Sequence, residues 1–129
     1  MKVFILPFGK ISVIEPNIAE VIINEGVLID ESIVNIYRKV LQSHFEKPIS
    51  LLINKENAYS YTFDAQVAMG ELSDVIAFRA VVVYSLSAEM ATQIVMDINK
   101  HNNWKIKIFR ERQAAIDWLK INQNNKSAM

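Results

Sequence analysis

The sequence contains no cysteine. That absence removes disulfides, thiolate nucleophiles and cysteine-based zinc sites together. Glycine is scarce: Gly9, Gly26 and Gly70 are the only three in 129 residues. A phosphate cradle needs a glycine-rich turn entering a helix, because backbone N–H groups must approach the anion closely. None of the three glycines stands between an expected core strand and a helix, so no Rossmann or P-loop nucleotide site is expected. An excess of one charge is also missing, since 14 Lys and Arg balance 14 Asp and Glu. Electrostatically driven nucleic-acid binders carry a basic excess, so no nucleic-acid partner is expected. The only histidines, His44 and His101, fall at the expected ends of helices. There a donor interacts favourably with the last carbonyls, and no metal or other cofactor is needed to explain them. Long apolar runs are missing too. Nothing approaches the ~18 residues of a membrane span. Pro7 and Lys10 interrupt the opening apolar run before it reaches signal-peptide length. A cytoplasmic location is the expectation.

What is present is a core. Hydrophobic residues make up 51% and charged residues 22%. A chain of this length suits one domain, placed at residues 1–122, with the polar stretch 123–129 expected to fray. Lys10 to Glu15 reads as a strand rich in β-branched residues, Pro16-Asn17 as a turn, and Ile18 to Asn24 as the return strand. Asp30 is an N-cap, with Glu31 in the first turn. Ile33, Ile36, Tyr37, Val40, Leu41 and His44 form the stripe of a first helix that Pro48 ends. Ile49 to Asn54 is a short apolar run of the kind buried on both faces of a parallel sheet. Lys55 to Tyr61 is a polar loop. Ser60 or Thr62 caps a short helix weakened by Gly70, with Phe63 and Val67 inward. Ala77 to Tyr84 is a second buried strand. Ala88 to about His101 is a helix with Ala91, Ile94, Val95 and Ile98 inward. Trp104 to Phe109 alternates as a strand with one wet face, and Arg110 to Ile121 is the last helix. The predicted fold class is α/β: a single-layer mixed β-sheet with a parallel core, in the order β-β-α-β-α-β-α-β-α.

Catalytic signals are weak. No nucleophile-elbow pattern surrounds any serine. The acids at loop-to-helix junctions, Asp30, Glu31 and Asp64, are accounted for by helix capping. The stretch Trp104 to Arg112 mixes bases with aromatics, as single-strand binders do, but lysines on the wet face of an edge strand also guard against unwanted pairing. The loop Asn57-Ala58-Tyr59-Ser60-Tyr61-Thr62 draws more interest. It follows a buried strand and precedes a helix, the edge where open α/β sheets place functional loops. Ser60 and Thr62 are phosphosite-like candidates, because a phosphate at a helix N-terminus is electrostatically favoured. Asn57, Tyr59, Tyr61, Ser85 and Ser87 complete a candidate interaction loop.

The opening hairpin, Glu25-Gly26-Val27 leading to Asp30, and Ile49-Ser50-Leu51-Leu52-Ile53-Asn54 together resemble the SpoIIAA-like branch of STAS domains, a name covering sulphate transporters and anti-sigma-factor antagonists. The stretch Ala77 to Val83 followed by Ser87 fits the same pattern. So does the close, Ile106 to Phe109 followed by Glu111, Ala115, Trp118 and Leu119. The resemblance runs from about Ile11 to Leu119. It implies a STAS-like fold and a regulatory role exerted through protein contact. In anti-sigma-factor antagonists a serine in the loop after this strand is phosphorylated. Here that loop carries Asn54 and then Ser60-Tyr61-Thr62, without an Asp-Ser-Ser-Gly-type motif. Relatives in this branch also resemble lipid-carrier domains.

The expectation is therefore a non-enzymatic regulatory or protein-interaction domain, with another protein or a second copy as partner. The alternative is a small apolar-ligand or lipid-binding domain, which requires a pocket of several hundred cubic ångströms.

Overall fold

Residues 2–128 are described by a computed structural model. The chain opens with a strand not anticipated from sequence, β1 (Val3–Leu6), which pairs antiparallel with β2 (Gly9–Glu15). Across the Pro16-Asn17 turn, β2 pairs antiparallel with β3 (Ile18–Ile23), so the expected hairpin is present. Gly26 sits at φ +77°, a left-handed bend that a side chain would strain. It leads to the two-residue β4 (Leu28–Ile29). Helix α1 (Glu31–His44) follows, and its N-cap Asp30 accepts from the Ile33 N–H at 3.0 Å. Its buried stripe is Val34, Tyr37 and Leu41. Ile36, expected inward, faces solvent instead, one step off the stripe.

Strand β5 (Ile49–Asn54) is buried at every position. The stretch after it is not wholly loop, because β6 (Ser60–Tyr61) pairs in parallel with β4. Thr62 then caps α2 (Phe63–Gly70), its Oγ1 accepting from the Ala65 N–H at 3.1 Å. That cap sets the helix phase. Ala65, Ala68 and Met69 face inward, while Phe63 and Val67 point out, contrary to expectation. Gly70 has a packing role: a Cβ there would lie 2.6 Å from Asn102 Nδ2 and 2.8 Å from Asn99 Oδ1.

Strand β7 (Ile76–Val82) leads to α3 (Leu86–Ile98), which starts two residues earlier than expected and is capped by Ser85. Strand β8 (Lys105–Phe109) precedes α4 (Arg112–Ala128). The polar stretch expected to fray continues α4 through Ala128, while Met129 lies outside the described residues. The reason is visible at Gln123, which is buried, accepts from Ser50 Oγ at 2.5 Å and donates to the Pro48 carbonyl.

The main sheet has six strands in the order β1-β2-β3-β5-β7-β8. Strands β3, β5, β7 and β8 run parallel, so Ile49–Ile53 and Ala80–Val82 lie side by side in one orientation. The result is a mixed α/β fold with a mostly parallel central sheet and four helices. Two cores form on its two faces. Helix α4 covers Ile18, Leu52, Ala80 and Val82 with Ala115, Ile116 and Leu119. Helices α1 and α2 cover the other face, over Val21, Ile53 and Val81. Helix α3 joins that second face, yet Thr92 is its only buried residue. Of its expected inward stripe, Ala91, Ile94 and Ile98 are exposed, Ile94 to 60% and Ile98 to 39%, while Val95 is half-buried.

Candidate functional site

Parallel strands end together, so the chain leaves β5 and β7 at one edge. The Lys55 N–H donates to the Val82 carbonyl at 2.9 Å, and the Val83 N–H donates to the Phe109 carbonyl at 2.9 Å. The loop after β5 and the start of α3 therefore face each other. Between them lies a cleft of about 380 Å³. Glu25, Lys55, Glu56, Asn57, Tyr59, Tyr84, Ser85 and Ser87 line it.

Asn57 braces the loop, its Nδ2 donating to the Ile23 carbonyl at 3.0 Å. The Ala58 N–H donates to Glu25 Oε2 at 2.7 Å, which anchors the loop tip. Ser85 Oγ accepts from the Ala88 N–H at 3.1 Å and lies 3.5 Å from Ser87 Oγ. Lys55 extends over aromatic faces, with Nζ 5.0 Å from the Tyr59 ring centroid and 5.6 Å from that of Tyr61. Among the described residues no carboxylate forms an ion pair with it. Burial pushes the Lys55 amine down to about 8. Burial also pushes the Tyr59 phenol well above its ordinary value, so it stays protonated at neutral pH.

The structure brings Asn57, Tyr59, Ser85 and Ser87 together in this cleft. It does not bring in Ser60, Tyr61 or Thr62. Ser60 is exposed on β6, its N–H donating to the Val27 carbonyl at 3.1 Å. Tyr61 turns inward, edge-on to Tyr59 with ring centroids 5.6 Å apart, and helps line an interior void of about 10 Å³. That void has room for about one water and no more. Thr62 is occupied as the cap of α2.

Sequence reasoning missed Lys55, which reads there only as the start of a polar loop. The available signal was its position directly after a fully buried strand, with two tyrosines four and six residues on. On the α4 side of the sheet, Asn54 and Arg112 both hold Glu20. Asn54 Nδ2 donates to Glu20 Oε2 at 2.9 Å, and Arg112 donates to both carboxylate oxygens at 2.8 and 2.7 Å. Burial alone would raise the Glu20 carboxyl, but these hydrogen bonds and the charges of Arg112 and Lys10 hold it below its ordinary value of 4.5.

A second missed residue is Arg79. It is 1% exposed and packs its guanidinium 4.0 Å from the Trp104 ring centroid. Its Nε and Nη2 are buried without a hydrogen-bond partner among the described residues, and burial pushes it down to about 10.

Among the described residues no group of three or more His, Asp or Glu is placed to hold a metal ion. No helix of the described residues is long and apolar enough to cross a membrane. No curated protein and no solved structure matches the chain. One family does match, over residues 12–122, and its description reads "Domain of unknown function (DUF7793)". That match spans most of the chain, which therefore belongs to this family.

Proposed function

We propose that this chain is a non-enzymatic protein-interaction module of STAS-like type whose docking face is helix α3, and whose first occupant is a second copy of itself. One observation carries the reading. Leu86, Met90 and Ile94 are 64%, 59% and 60% exposed, and with Ile98 they form a row at intervals of four residues on one helix side. The row continues into a surface groove where Ile98 meets Phe63 and Val67 of α2. Scattered exposed apolar residues are ordinary, but a contiguous group of six large ones marks a contact surface.

The spacing suits a two-fold pairing. An antiparallel α3 pair sets Leu86 against Ile98 and Met90 against Ile94, with Thr92 near the axis. Asp97 then lies beside the N-terminal end of the partner helix, where negative charge is favoured. Burying the six side chains on both copies removes on the order of 1,200 Å², the lower end of specific interfaces. The STAS-like part of the reading is supported by the hairpin, the parallel β-α alternation and the closing strand and helix. What weighs against the apolar-ligand alternative is that the apolar interior void is only about 10 Å³, while the larger cleft is lined by charged and polar side chains.

Sedimentation velocity over a range of concentrations tests this. The wild-type chain is expected to shift from monomer to dimer in the micromolar range. Ile94→Glu is expected to remain monomeric with an unchanged melting temperature. A wild-type chain that stays monomeric at about 100 µM defeats the reading, since interfaces of this size commonly bind more tightly than that.

A further inference from the structure

We infer that Lys55 is a covalent acceptor site, whose amine takes an acyl group from a small activated acyl donor admitted through the cleft between the β5 loop and the start of α3, with acetyl phosphate as the probe of that class. This inference goes beyond the docking reading and uses none of the exposed α3 row.

Three observations support it. First, Lys55 stands apart from the other lysines. Lys2, Lys10, Lys39, Lys47, Lys100, Lys105, Lys107 and Lys120 are all exposed, whereas Lys55 is half-buried. Second, its Nζ has no ion-pair partner among the described residues, and the aromatic faces of Tyr59 and Tyr61 hold it in position. Third, the cleft beside it has a volume of about 380 Å³, within the size range of small-molecule sites. A lysine desolvated in this way is an activated nucleophile.

The charged and titratable groups around Lys55 do not supply a counter-ion. Glu25 is engaged by the Ala58 N–H, and Glu56 stands exposed on the rim. Tyr59 and Tyr61 are held protonated by burial. Tyr84 also lines the cleft. Ring faces favour the ammonium form, while burial by itself brings the amine down to about 8. About a quarter of it is then neutral at pH 7.5, against about one part in a thousand for a lysine of ordinary basicity.

The step balances without a co-reactant beyond the donor. The nitrogen lone pair attacks the acyl carbon. The carbon–oxygen bond to phosphate breaks, and phosphate leaves with the electron pair. The proton lost from nitrogen passes to water. The product is a neutral amide lying over the two tyrosine rings.

The test uses the full chain with limiting acetyl phosphate, and site-resolved mass spectrometry follows initial rates from pH 6.5 to 10.5. Lys55 is expected to be acetylated about tenfold faster than any exposed lysine at pH 7.5, with a rate that levels off above about pH 8, while an amine of ordinary basicity keeps gaining past pH 10. In urea that preference is expected to vanish, because the cleft is gone. The proposal is overturned if Lys55 reacts no faster than the exposed lysines, if its rate climbs without levelling off, or if its preference survives unfolding. The assay is run at a chain concentration below the micromolar range, where the docking reading expects monomer, so this inference and the docking reading fail separately.

Discussion

Helix α4 covers its face of the sheet with Ala115, Ile116 and Leu119 all buried, whereas α3 on the opposite face buries Thr92 alone. Apart from Asn54 Oδ1, which is buried without a hydrogen-bond partner among the described residues, the α4 face is also closed in its polar detail. Gln123 closes on Ser50 and Pro48, and Arg112 closes on Glu20. The α3 face is not. It contains Arg79, whose Nε and Nη2 have no hydrogen-bond partner among the described residues, Lys55, which has no ion pair among them, and an exposed apolar row. Buried polar groups are normally satisfied, and large apolar groups are normally covered. The difference therefore separates a helix packed into a core from one that stays largely uncovered on a face whose core is closed by α1 and α2.

The largest expected effect that tests this contrast is on the finished face. Leu119→Ala removes a fully buried side chain and should cost about 3 kcal/mol in urea unfolding. A cost under about 1 kcal/mol would mean that α4 is no more tightly packed than α3.

Next in size is Arg112→Ala, which leaves Glu20 buried without its cation. The arginine is 42% exposed, so screening reduces the loss to about 1–3 kcal/mol at pH 7. The pH dependence follows from the sign of the shift. The folded carboxyl titrates below its ordinary value of 4.5. Its contribution is therefore present in full above that value and is lost as pH falls through the lower folded value. Arg112→Ala should flatten stability against pH in that acid range, and an unchanged acid profile would show that Glu20 draws its support elsewhere.

Arg79→Met sharpens the contrast from the other side. Replacing a buried, incompletely paired charge with an apolar chain of similar length should leave stability unchanged or raise it by about 1 kcal/mol. A loss as large as that of Leu119→Ala would show that the Trp104 stack is structural. Smallest of all, Leu86→Ser should change the unfolding free energy by less than about 0.5 kcal/mol, as exposed sites do.

How much of this was legible in the sequence can be followed element by element. The hairpin, the Asp30 cap, the two inner strands and the wet face of β8 were readable because each rests on local chemistry: β-branched runs, a capping side chain, or strict alternation. The phases of α2 and α3 were not. Phe63, Val67 and Ile94 read as core because apolar residues at helical spacing usually are. Only the packed neighbours reveal that Ala65, Ala68 and Met69 take the inner side of α2. The β4–β6 pairing was missed because Leu28 and Ser60 lie far apart in sequence; strand β1 was missed although its partner β2 follows directly across Pro7-Phe8. The cleft was half legible. Its loop was found, but Lys55 was not, because a lysine's surroundings are not written in its neighbours.

The sequence by itself determined the alternation of strands and helices, the caps, and the exclusion of thiol chemistry, since each depends on residue identity or near-neighbour spacing. Tertiary structure alone decided which helix face is covered, that Gln123 extends α4, and that Lys55 lies beside Tyr59 at the mouth of a cleft. Burial and proximity arise only when distant segments meet, and those two quantities set the charge state and reactivity of a side chain.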